Sequence, residues 1–262
     1  MLILDVDSSS LAACLLEIGE VPKISKTKRV ELGSGAVRDA QALMVSLKEA
    51  LPALLKEYAR DMIGQVHVVL ASPWFDANVK TLTSKSEKQS SISHATVARV
   101  VANERAKNQS PHPIESMPIT VTVNGYRTRI AKPLSGTAVA ITVYESHGDS
   151  QGVEFITSAL RAEFPKASTD FHTTPIVYGE TLMRLIDDEH GILVDVGGEL
   201  SDVTIFTKRS IGHVGFVPEG SRSIARAIAG TSGSLADIQS RLAMLARQEL
   251  VAKDAQALME SV

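Results

Sequence analysis

Residues 190–206 read HGILVDVGGELSDVTIF, and few folds can carry that run without turning it back on itself. Ile192, Leu193 and Val194 form a short apolar segment, the pattern of a strand buried on both faces. Asp195 ends it, and Gly197-Gly198 follow, a point where backbone can approach a ligand closely because no side chain intervenes. Ser201 and Asp202 then lead into Val203-Thr204-Ile205-Phe206, a second strand. The run predicts a tight hairpin whose tip sets free amides beside a hydroxyl and two acids, a cradle for phosphate or magnesium. An ordinary hairpin with a glycine-rich turn accounts for the same residues.

The N-terminus repeats the pattern. Ile3 to Ser10 runs apolar strand, Asp5, Asp7 and a triple serine, and Leu11 to Leu16 is apolar again. Two such hairpins, one per half of the chain, resemble the two phosphate loops of the actin-like ATPase superfamily, which grip a nucleotide's phosphate tail between related domains. The second loop of that family, D-x-G-x-x-x-[ST]-D, is matched by Asp195, Gly197, Ser201 and Asp202. The first, D-x-G-[ST], is matched by Asp5 and Ser8, but Asp7 stands where the family has glycine. The resemblance implies ATP held by Asp5, Ser8, Ser9, Ser10, Asp195, Gly197, Gly198, Ser201 and Asp202, with magnesium held through water by Asp5 and Asp195. Asp7 opposes this. A carboxylate repels a polyphosphate, and its side chain fills space that backbone should leave open.

Length and charge narrow the classes. The chain of 262 residues can hold one large or two medium domains with ample core. Its net charge of −3 gives no basic footprint for nucleic acid. No apolar run approaches the ~18 residues of a membrane helix and no secretory signal is visible, so a cytoplasmic protein is expected. The single cysteine, Cys14, excludes an intramolecular disulfide and reads as a small core residue. The seven histidines lack metal-ligand spacing.

Taken in order, strands are expected at 2–7, 11–18 and 24–32, and an amphipathic helix over 37–60, which Pro52 could kink or divide. A buried strand at 66–71 completes a β-β-β-α-β order. The polar 76–89 stretch reads as an edge strand and loop. Ser93 caps a helix through Lys107, and strands at 119–123 and 126–130 flank Asn124-Gly125, a type I′ hairpin signal. A strand over 137–144 and a helix over 150–164 follow. Then come a strand at 167–171, a helix over 175–187, and a strand at 211–217 beyond the second hairpin. Helices from Ser221 to Ala229 and from Ser234 to about Met259 end the chain.

The small α+β module of residues 77–148 sits between the fourth core strand and the next helix, where the FtsA/PilM-like group carries an insertion. The texture of Pro118 to Arg129, with NGYR at 124–127, also resembles that insertion. The resemblance implies an α/β, actin-like (ribonuclease H-like) two-domain fold. Residues 1–76 with 149–187 would form the first subdomain and 188–262 part of a second, with the C-terminal portion incomplete. Glu180, near the start of the crossing helix, is a weak catalytic candidate. The last helix has acids among its bases and no Trp or Phe, which favours core or partner packing over a membrane surface.

Three functions fit. The first is an FtsA/PilM-like scaffold of cell division or pilus assembly, binding ATP weakly and acting through protein partners at the inner face of the membrane, with self-association open. The second is an ATPase or sugar kinase of the same fold. The third is a nucleotide-free interaction protein. Asp7 and the lack of a glycine pair after Gly198 favour the first and third.

Overall fold

The computed structural model describes residues 1–33, 39–107, 110–128, 132–230, 234–249, 251, 253 and 256. Strands β1 (Leu2–Val6), β2 (Ser10–Glu17) and β3 (Lys23–Glu31) precede α1 (Ala40–Leu55) and β4 (Gln65–Leu70). The next unit contains β5 (Phe75–Ile92), α2 (His94–Lys107), β6 (Pro113–Val123), β7 (Tyr126–Thr128) and β8 (Leu134–Gly148). After α3 (Ser150–Glu163), β9 (Ser168–Thr173) and α4 (Thr174–Leu185) come β10 (Gly191–Val196), β11 (Ser201–Thr207) and β12 (Ser210–Val217). Helices α5 (Ser221–Ala229) and α6 (Leu235–Ala246) follow.

The described residues form three sheets, ordered β3-β2-β1-β4-β9, β5-β8-β6-β7 and β10-β11-β12. In the first, the hairpin strands pair antiparallel, whereas β4 lies parallel to β1 and β9 parallel to β4. Leu2, Leu4 and Val6 point from β1 into a core with Leu47, Leu51 and Leu54 of α1 and Ile156 and Leu160 of α3. This central position between two strands explains why β1 is a short apolar run.

Pro52 lies inside α1, and the helix continues through it to Leu55 as one element. It ends before Arg60, and Val37 falls outside the described residues. Strands β5, β6 and β8 are longer than expected, and of the strand expected at 126–130 the described part is Tyr126–Thr128. The polar 76–89 stretch is strand throughout, because β5 pairs with β8 on either side of an irregularity between Lys85 and Ser90, and its Ser-, Thr- and Lys-rich part is exposed to solvent, where those side chains are at ease. The Asn-Gly turn forms as expected, with φ of 50° at Asn124 and 84° at Gly125. Helix α6 stops at Ala246, well short of Met259, which lies outside the described residues. Gln248 takes φ of 60°, and the Gln248 and Glu249 amides donate back to Leu245 and Met244 carbonyls, a left-handed stop. Among the described residues, no helix is long and apolar enough to cross a membrane.

Candidate functional site

Both hairpins form, and their tips meet. β1 pairs with β2 from Leu2↔Leu15 to Val6↔Leu11, leaving Asp7, Ser8 and Ser9 as the first tip. β10 pairs with β11 from Gly191↔Phe206 to Val196↔Ser201, leaving Gly197 to Leu200 as the second. The Glu199 amide donates to Ser8 Oγ at 3.0 Å. A Cβ on Gly197 would stand 2.6 Å from Asp7 Oδ1, and one on Gly198 would collide with Ser9 Cβ. Only glycine lets the two tips come this close.

Asp7 organises the junction. Its Oδ1 accepts from the Ser8 amide at 2.6 Å and from the Ser8 hydroxyl at 3.1 Å, and its Oδ2 accepts from the Ser9 hydroxyl at 2.7 Å. Donors of the kind that would cradle a phosphate oxygen are thus turned onto an internal carboxylate. Ser10 Oγ accepts from Arg29, and Ser201 Oγ donates to the Glu219 carbonyl at 2.6 Å. Asp202 is buried and accepts from the Ser72 amide, the Ser72 hydroxyl and the Thr174 hydroxyl, which ties the second hairpin to the ends of β4 and β9. Gly197 and Gly198 carbonyls accept from the Ser221 and Arg222 amides at the start of α5. Arg222, buried, reaches across to the Ser9 carbonyl at 3.1 Å and the Leu32 carbonyl at 2.6 Å. Arg226 holds Glu199 by donating from Nη1 to Oε1 and from Nη2 to Oε2.

Asp5 and Asp195, the two acids expected to hold magnesium, act electrostatically on the same space. Burial raises the Asp5 carboxyl to about 6, opposed by Arg29 and assisted by Asp7 and Asp195. Arg29 lies 3.8 Å from it. Burial also raises Asp195, with Asp202 and Asp7 adding to the effect. The Tyr178 hydroxyl on α4 is pushed up to about 12, by burial first and then by Asp5 and Asp195. Among the described residues, no group of three or more His, Cys, Asp or Glu side chains is placed to hold a metal ion.

As it stands, the junction does not fit a polyphosphate. The Ser8 amide and the Ser8 and Ser9 hydroxyls are committed to Asp7, and the glycine faces are covered by Asp7 and Ser9. Glu180 is not brought to the tips. It is exposed, pairs with Arg184 at 3.7 Å, and lines a separate cleft. Tyr178, Arg29, Ser72, Thr174 and Arg222 were not found from sequence, since each arrives from an element remote along the chain. Tyr178 alone carried a signal, as a polar-tipped aromatic two residues before Glu180 on the crossing helix.

The separate cleft, of about 1050 Å³, opens between β6 and β7 on one side and α4 with the β11–β12 turn on the other. Met117, Ile119, Ile176, Met183, Phe206 and Ile211 line it, with Arg127, Lys208 and Arg209 among its charged residues. Arg127 donates to the Lys208 carbonyl and the Ser210 hydroxyl, so the module is tied directly to the second hairpin sheet.

No family model matches the chain. It is 21% identical over 237 residues to the cell division protein FtsA of Neisseria meningitidis serogroup B (strain ATCC BAA-335 / MC58), covering 86% of this chain. The chain spans 56% of that relative's length. Among solved structures it is similar to the PilM–PilN type IV pilus biogenesis complex, with a TM-score of 0.63 at 16% identity, covering 94% of this chain and 70% of that one. The ethanolamine utilization protein EutJ from Carboxydothermus hydrogenoformans is more distant, with a TM-score of 0.48 at 10% identity, covering 100% of this chain and 65% of that one. With its two strand–acid–turn hairpins and the sheet order around them, the chain has an actin-like fold, and it is similar in sequence to FtsA and in fold to PilM.

Proposed function

We propose that this chain is a scaffold of the FtsA/PilM kind, working through protein–protein contacts in cell division or pilus assembly rather than through turnover of a nucleotide. The observation that carries the reading is the hairpin junction closed on itself by Asp7. An efficient ATPase or kinase of this fold needs its phosphate donors free, and here a carboxylate of the chain holds them. In this reading residues 1–76 and 149–187 form the first subdomain, 77–148 the inserted module and 188–262 part of the second. ATP with magnesium is at most a weak ligand of the cradle from Asp5 to Ser10 and Asp195 to Asp202.

The partner contact is proposed for the cleft between the module and α4. Its apolar lining suits side chains of an extended segment, and its mixed rim of Arg127, Lys208, Glu180 and Glu189 suits polar groups at the segment's edges. The similar PilM structure is of a complex with PilN, which supports a protein as the cleft's occupant. Membrane association would come through that partner, at the inner face. Calorimetric titration with magnesium-ATP, with product release followed in parallel, tests the scaffold reading. Binding that is weak or undetectable, without turnover, is expected. Tight binding that Asp195→Ala abolishes, accompanied by steady hydrolysis, would return the chain to the enzymes.

A further inference from the structure

Two hairpin turns of this molecule share a geometry and differ in residues. Asn124-Gly125 joins β6 to β7 with φ of 50° and 84°, and Lys208-Arg209 joins β11 to β12 with φ of 51° and 59°. Two positive φ angles in succession make the turn that fits the twist of a hairpin. Asn and Gly take that conformation readily, whereas the side chains of lysine and arginine crowd the backbone there. Left-handed residues of this kind persist where the surrounding structure holds them.

The Lys208-Arg209 turn is held from two sides. From the module, Arg127 on β7 donates from Nη1 to the Lys208 carbonyl at 3.0 Å and from Nη2 to the Ser210 hydroxyl at 2.5 Å. From the other side, Arg209 Nη2 donates to the Met183 carbonyl of α4, and the Arg209 amide donates to the Glu189 carbonyl at 2.8 Å. Arg127, Lys208, Arg209 and Ser210 all line the cleft between the module and α4, so the Arg127 bonds join one wall to the other. Apolar packing joins the same walls where Met117 and Ile119 share a cluster with Met183, Phe206 and Ile211. The Arg127 bonds are of another kind. They are exposed, they end on a carbonyl and a hydroxyl, and they spring from a strand of three residues. Bonds of that sort open more readily than a packed cluster does.

We infer that Arg127 is a clasp: it holds the β6–β7 hairpin against a turn kept under backbone strain, and its release widens the cleft at that end. The strain biases the device toward release. While Arg127 is bonded, Lys208 and Arg209 stay left-handed; once it lets go, the turn loses one of its two supports and relaxes away from the module. The inference rests on the reading of the cleft as a partner site and supplies its regulation. An entering segment gains room by displacing Arg127 from two neutral acceptors, and the apolar cluster that joins the walls stays packed.

Hydrogen–deuterium exchange on the 262-residue chain, with no partner or nucleotide added, is the test. Arg127→Ala should speed exchange by about fivefold or more over residues 120–128 and 206–211 and leave β1 and β4 unchanged. Arg127 is exposed, so the variant should keep the wild-type fold. Lys208→Asn leaves both acceptors of Arg127 in place and puts a residue that tolerates the left-handed region at the first turn position. In that background the effect of Arg127→Ala on residues 206–211 should shrink, since less strain is left to release. Exchange that Arg127→Ala leaves unchanged, or raises equally in β1 and β4, would overturn the clasp. Equal effects in the two turn backgrounds would overturn the strain that drives it. Either negative result removes the clasp and leaves the scaffold reading to its own titration.

Discussion

The two hairpin sheets start from one pattern and end in different surroundings. Asp5 and Asp195 hold equivalent places, and Leu4 and Val194 precede them. β1 has β2 on one side and β4 on the other, with Leu2, Leu4 and Val6 fully buried. Among the described residues β10 has β11 only, and its alternate residues face solvent. The same local sequence grammar therefore makes a central strand in one half and an open edge in the other. What a strand buries is set by its neighbours, which the strand's own sequence does not name.

Truncation at the matched positions gives the sharpest contrast. Leu4→Ala should cost about 2–5 kcal/mol in denaturant unfolding, as a cavity opened in a packed core does. Val194→Ala, at a position 52% exposed, should cost no more than about 0.5 kcal/mol. Similar costs at the two sites would mean that β10 is covered in solution.

The contact between the tips is next in size. Gly198→Ala drives a methyl into Ser9 and should destabilise by roughly 1–3 kcal/mol. Ala at Gly191, where nothing lies within 4 Å of the added methyl, should cost far less. Equal losses would show that the tips do not touch.

A smaller effect follows from the acids. Burial raises Asp5 from 3.8 to about 6, so the folded protein binds this proton more tightly than the unfolded chain. Its contribution to stability is thus greatest below about 4, falls as pH rises toward 6, and is absent as a benefit above that. Asp5→Asn should raise stability at pH 7 by about 1–3 kcal/mol, discounted for Arg29 and partial solvent access, and flatten the decline across that window. Unfolding curves at pH 4, 5, 6 and 7 would check it. A variant less stable at pH 7 would show that the Arg29 pair outweighs the burial.

Much of the fold was legible because local chemistry dictated it. Asn124-Gly125 forces its turn, the Gly197-Gly198 tip bends where glycines permit, and the leucine spacing of α1 matches a helix packed on a sheet. The polar length of β5 was not legible, since an exposed edge strand and a loop share a composition. The early end of α6 depends on Gln248 in a left-handed conformation, which glutamine does not advertise. For the site, both hairpins were visible as patterns and Asp7 as a departure. The use Asp7 is put to was hidden, because it depends on Ser8 and Ser9 folding around it and on Glu199 meeting Ser8 from 191 residues away.

The central claim is that Asp7 occupies the donors that would otherwise hold phosphate. Magnesium-ATP titrated calorimetrically into the wild type and into Asp7→Gly side by side tests it directly. The account predicts weak or no binding by the wild type and a gain of about tenfold or more in affinity when the carboxylate is removed. Equal affinity in the two proteins, whether strong or absent, would contradict it.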